Sequence, residues 1–121
     1  MQEPMNQVAL LLTFITTPLW AGPAEGVGVE ATDQGGTWRF DVTVAHPDTG
    51  WEHYADGWRV FAPDGTELGY RELLHPHVNE QPFTRSQSGI VIPEDITEVT
   101  VQAFDNVDGA GPPVTYTLPG R

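Results

Sequence analysis

The chain has 121 residues, enough for one domain, and carries 17 acidic residues against 5 basic ones, a formal net charge of −12. Such a surface repels phosphate backbones and anionic membranes, which excludes nucleic acid as a partner. Cysteine is absent, which excludes thiolate metal sites, thiol catalysis and disulfides. The domain must therefore be stabilised by its apolar core.

The first segment has the pattern of an export signal. An apolar run covers residues 8–16 and is too short to span a bilayer, which needs about 20 residues. Pro18 and a group of small residues follow, in the order typical of a signal peptide. We expect a signal peptide over residues 1–21, cleaved after Ala21, and a periplasmic or secreted domain over 22–121 with no membrane span. No Lys or Arg precedes the apolar run, so a buried N-terminal strand or helix is the alternative.

From residue 27 onwards the apolar pattern has a period of two, which predicts β-strands. In the segment 37–46 the even positions from Trp38 to Val44 are apolar and the odd positions are mainly polar, as in an antiparallel sheet with one face in the core. The predicted strands cover residues 27–31, 37–46, 58–62, 67–74, 89–92, 97–104 and 114–118. This pattern predicts an all-β fold, a seven-stranded antiparallel β-sandwich of immunoglobulin or fibronectin III type. A small open barrel or a jelly roll is the alternative.

In a sandwich of this strand order, the loops 47–57, 75–88 and 105–112 lie at one end of the molecule. All four histidines of the chain map to that end. The candidate metal ligands are His46, His53, His75, His77 and Glu80. Pro76 favours an extended backbone, so the histidines on either side of it point the same way. Imidazole suits Zn²⁺ and Cu²⁺, and we expect a Zn or Cu site here. Solvated loop histidines are the alternative, because the spacing H-x-H alone is a weak pattern.

Two further groups belong to the same end. Trp51 and Tyr54 stand beside acidic residues. Exposed aromatic side chains in such surroundings can stack on a glycan or contact a partner protein. In the alternative interpretation, Trp51 covers the end of the core. Asp105 and Asp108 are oxygen donors, but they lack the spacing of a calcium loop and are interpreted as turn residues.

The predicted loop over residues 75–88 contains two structural candidates and a catalytic candidate. Phe83 is expected to fill the open end of the sandwich, and Arg85 to pair with Glu80, Asp56 or Glu72. Ser86 or Ser88 would be the nucleophile of a hydrolase, but no nucleophile-elbow sequence accompanies them.

The segments "HPDTGWEHYADGWRVFAPDG" and "LLHPHVNEQPFTRS" resemble a group of small exported bacterial proteins that are uncharacterised. The resemblance covers about residues 40–105. It implies export and a compact domain, and it assigns no functional residue.

Together these observations predict a small exported, non-enzymatic binding module that holds a divalent transition metal through histidines at one end. The alternative is an adhesion or accessory domain that binds a protein or glycan through Trp51 and Tyr54.

Overall fold

The structure, a computed structural model, describes residues 22–121; the predicted signal peptide lies outside these residues. They form eight β-strands and no helix, so none of them belongs to a helix that could cross a membrane. The strands are β1 (Glu25–Asp33), β2 (Trp38–Ala45), β3 (Ala55–Phe61), β4 (Glu67–Glu72), β5 (Phe83–Ile90), β6 (Glu98–Asp105), β7 (Gly109–Ala110) and β8 (Val114–Thr117).

The strands form two antiparallel sheets. One sheet has the order β1-β2-β5, and the other has the order β4-β3-β6, with β7 and β8 both paired to β6. The all-β prediction is confirmed, but the predicted number of strands is wrong. The additional strand is β7, a two-residue pairing with the end of β6. It is separated from β8 by Gly111 and two prolines, and prolines have no N–H to continue a ladder.

The fifth strand also differs from the prediction. Residues 83–88 were expected in a loop, but β5 begins at Phe83 and pairs with β2 along its length. The middle of β5 is polar, so it lacks the apolar alternation by which strands are recognised. Its outward side chains instead form cross-strand polar contacts with β2, including the hydroxyl pair Thr43–Thr84 at 2.7 Å.

The two sheets bury one shared core, to which each contributes alternate residues. In β2 the buried row runs from Trp38 to Val44, and in β6 it runs from Val99 through Ala103. Each large apolar side chain in these rows contributes about 1.5–3 kcal/mol by leaving water. Both rows continue into polar residues at the same end of the molecule, where His46 follows β2 and Asp105 ends β6.

Candidate metal centre

Four side chains from separate segments meet at the end of the two sheets. His46 and Asp105 are the next members of the buried rows of β2 and β6, which is why both are removed from solvent. His53 comes from the β2–β3 loop and Asp108 from the turn after β6. One ligand atom of each residue lies within 4.8 Å of the others, and no other such group of three or more occurs among residues 22–121.

The distances between these atoms suit a shared ion. His46 Nε2 lies 3.2 Å from His53 Nε2 and 3.4 Å from Asp105 Oδ2. His53 Nε2 lies 3.2 Å from the Oδ2 atom of Asp108. Two ligands bonded tetrahedrally to Zn²⁺ at roughly 2.0–2.1 Å are separated from each other by about 3.3 Å. These three separations match the spacing of neighbouring ligands around such an ion.

Asp105 uses its two oxygens differently. Oδ1 accepts hydrogen bonds from the backbone N–H groups of Val107 at 2.8 Å and Asp108 at 2.5 Å, so the predicted turn chemistry is present. Oδ2 is buried and has no hydrogen-bond partner in the described part of the chain. Burial raises the pKa of Asp105, but these N–H donors and the nearby imidazoles together hold it below its usual value. A buried, ionised and unpartnered oxygen is costly unless a cation is bound to it.

His46 is held by a second carboxylate. Its Nδ1 lies 2.6 Å from Asp48 Oδ1, and both side chains are fully buried. Because an ionised carboxylate only accepts hydrogen bonds, this contact favours the tautomer of the neutral ring in which Nδ1 carries the proton and Nε2 presents its lone pair to the site.

Solvent reaches the centre from one side. The side chains of His46 and Asp105 are 0% exposed, whereas those of His53 and Asp108 are 27% and 36% exposed. An ion could enter, and a small molecule could approach it, past the latter two residues.

The other predicted metal ligands lie outside this group. The rings of His75 and His77 are 4.6 Å apart, and His77 stacks on the buried Phe83 with ring centroids 3.8 Å apart. His77 Nε2 receives a 2.9 Å hydrogen bond from Arg85, which also pairs with Glu80 at 3.5 Å. The pairing expected for Arg85 is therefore present, and its guanidinium occupies one of the two ring nitrogens of His77. Burial lowers the pKa of His77, and the charge of Arg85 lowers it further.

The predicted aromatic pair lies beside the four-residue group. Trp51 is 64% exposed and meets Tyr54 edge to face at 5.5 Å. Asn106, in the turn between Asp105 and Asp108, accepts a hydrogen bond from the Tyr54 N–H and donates one to the Trp51 carbonyl. The turn and the aromatic loop are thereby fixed to each other.

The sequence interpretation did not assign Asp48, Asp105 or Asp108 to the metal site. The sequence pattern could have identified Asp105. It stands two residues beyond Ala103, on the inward face of β6, where a buried carboxylate needs a partner. The other two residues follow β-strands in irregular segments, where the period of two gives no direction.

No protein-family model matches this chain. A protein of Halomicrobium mukohataei named "Putative lipoprotein" is 47% identical over 72 residues, which are 60% of this chain and 35% of that protein. The chain thus spans about a third of the length of this relative. This match is consistent with the resemblance to a group of uncharacterised proteins. It does not show that the group is bacterial.

Two solved structures share the fold. A hypothetical protein from Pyrococcus horikoshii OT3 is 16% identical with a TM-score of 0.55, covering 86% of this chain and 95% of that one. A superoxide reductase in the oxidised state is 19% identical with a TM-score of 0.52, covering 82% and 91%. At these identities the likeness shows the fold alone. It contradicts the expectation of a non-enzymatic module, which rested on the absence of a hydrolase sequence pattern, because an enzyme has this fold.

Proposed function

We propose that the protein binds a divalent transition metal through His46, His53, Asp105 and Asp108. The observation that carries the proposal is the buried, unpartnered Oδ2 of Asp105, which lies 3.4 Å from the Nε2 of His46, itself 3.2 Å from the Nε2 of His53. Two imidazoles and a carboxylate are the donors of non-haem Fe²⁺ sites, and the same donors also suit Zn²⁺ and Cu²⁺. The residues present therefore fit a metal ion, and the net charge of −12 raises the local concentration of cations.

Metal titration of the full chain tests this proposal. Isothermal calorimetry with Zn²⁺ and Cu²⁺, and with Fe²⁺ under anaerobic conditions, should show one ion per chain with a micromolar or lower Kd for at least one metal. Asp105→Asn keeps the shape of the ligand but removes its charge, and should weaken binding by at least about tenfold. Asp95→Asn is the matched control, because Asp95 is exposed between β5 and β6 and belongs to no such group. Absence of micromolar binding, or equal losses in the two variants, would contradict the proposal.

We extend the proposal to metal-dependent chemistry on a small molecule. A bound metal would supply Lewis-acid or one-electron chemistry, and His53 and Asp108 form the side of the centre that solvent reaches. Superoxide is the first substrate to test, because a solved superoxide reductase shares the fold. The metal-loaded protein should consume superoxide faster than the same concentration of free ion, and Asp105→Asn should not. A rate no higher than that of the free ion would exclude this substrate while leaving the metal site standing.

Export is a further part of the proposal. It is supported by the apolar run at residues 8–16 and by the name of the Halomicrobium relative. An epitope-tagged full chain should appear in the extracytoplasmic or membrane fraction of its host, and recovery in the cytosol alone would contradict export.

A second candidate function is contact with a glycan or a protein through Trp51 and Tyr54. It is favoured by the exposure of Trp51, which is large for so apolar a side chain. Cell-wall glycans should change the tryptophan fluorescence of the protein but not that of Trp51→Ala. Equal responses would place the contact elsewhere, and no response would exclude these glycans as ligands.

A further inference from the structure

A closed ring of hydrogen bonds surrounds His46 and joins it to the loop of residues 73–82. Asp48 Oδ1 contacts the Nδ1 of His46, and Asp48 Oδ2 accepts the backbone N–H of His77 at 2.8 Å. On the other side, Gln81 accepts the backbone N–H of His46 at 3.0 Å and donates to the carbonyl of His77 at 3.0 Å. Both links run between the same two histidines.

The two links act on different parts of His46. Gln81 contacts only the backbone of that residue, whereas Asp48 contacts its ring. Asp48 accepts three hydrogen bonds, because Oδ1 also receives the backbone N–H of Ala55 at 3.0 Å. Two backbone donors thus hold the carboxylate still while it directs the ring, and the ring cannot rotate without breaking a short buried hydrogen bond.

We propose that Asp48 is the positioning residue of the metal centre. It keeps the proton of His46 on Nδ1, so that Nε2 faces Asp105 and His53 as an unprotonated donor. A carboxylate behind a metal-binding histidine fixes its tautomer and raises its basicity, and loss of such a partner typically weakens metal binding by about 10–100-fold. This inference rests on the proposed metal site for its consequence, but the tautomer exists with or without metal.

The first test therefore uses the metal-free wild-type chain. Long-range proton–nitrogen NMR spectra at a pH where the imidazole is neutral distinguish a protonated ring nitrogen from an unprotonated one. We expect His46 to be protonated at Nδ1 and unprotonated at Nε2. The opposite tautomer would overturn the proposal whether or not the protein binds metal.

The second test compares two variants that loosen the same loop. Asp48→Asn should weaken binding of the metal found by titration by about 10–100-fold, with one ion per chain retained. Gln81→Met removes both hydrogen bonds of Gln81 without touching the His46 ring, and should change the affinity by less than about threefold. Circular dichroism establishes that both variants are folded. Equal losses in the two variants would mean that Asp48 acts only by holding the loop, and no loss in Asp48→Asn would show that His46 is positioned without it.

The outcomes separate this proposal from the metal site itself. If wild type binds no metal but shows the expected tautomer, the proposed function and the role of Asp48 in metal binding fail, whereas the predicted tautomer of His46 is confirmed. If wild type binds metal and Asp48→Asn binds it equally well, the metal site stands and the positioning role fails.

Discussion

The two histidine pairs at the loop end of the molecule differ in what surrounds their ring nitrogens. His46 and His53 face two carboxylates that arrive from β6 and the turn after it, and one carboxylate oxygen has no other partner in the described chain. His75 and His77 are closer in sequence, yet His77 is stacked on an aromatic ring and bonded to Arg85. A short spacing between histidines is therefore less informative about a metal site than the charge of the groups that another strand brings to them.

The largest expected effect separates the two pairs by metal affinity. His46→Gln removes a buried ligand and should weaken binding by roughly 100-fold or more, because a ligand matters at least as much as its supporting partner. His75→Gln should change the affinity by less than about threefold. Calorimetric titration of both variants measures the difference. A larger loss of affinity in His75→Gln than in His46→Gln would show that the metal binds at His75 and His77.

Metal binding should also stabilise the fold. An ion at 100 times its Kd adds about 2.7 kcal/mol, which corresponds to a rise in Tm of about 10–20 °C for a domain of this size. EDTA should reverse the rise. The shift should persist in His75→Gln and fall to about half or less in Asp105→Asn at the same metal concentration. An equal reduction in both variants would show that the two pairs are not independent.

The second pair should influence stability through pH. Because burial and Arg85 hold the pKa of His77 below 6.5, the unfolded chain takes up a proton that the folded chain does not. Stability should therefore be complete above pH 6.5 and fall as the pH drops below it, by at most about 1.4 kcal/mol per pH unit for one group. Urea unfolding between pH 5 and 7.5 should show a shallower pH dependence in metal-free His77→Gln than in metal-free wild type. Equal slopes would assign the dependence to other groups.

The smallest effect is expected for the exposed Trp51, which lies in the β2–β3 loop that also carries His53. Trp51→Ala should change the free energy of unfolding by less than about 0.5 kcal/mol and leave metal affinity unaltered, because most of its side chain is already in water. Thermal unfolding and calorimetry of this variant check both points. A loss of metal affinity would mean that the aromatic loop holds His53 in place.

Some of the fold could be predicted because its signal is local. The alternation from Trp38 to Val44 and the turn "PDGT" determine β2 and the β3–β4 hairpin, and both are present. The β5 strand could not be predicted in the same way, since its polar residues 84–88 are stabilised by pairing with β2 and not by their own apolar pattern. A strand of that kind can be recognised only from its pairing with the neighbouring strand in the folded structure.

The candidate site likewise has a part that the sequence predicts and a part that depends on the fold. The sequence alone determined that four histidines stand near the ends of strands, that no thiolate is available and that the chain is strongly acidic. Only the tertiary structure decided which histidines meet carboxylates, because His46 and Asp105 are 59 positions apart and are brought within 3.4 Å by the packing of two sheets. Strand periodicity reports which face a side chain occupies, whereas the partner on that face is set by how the sheets pack.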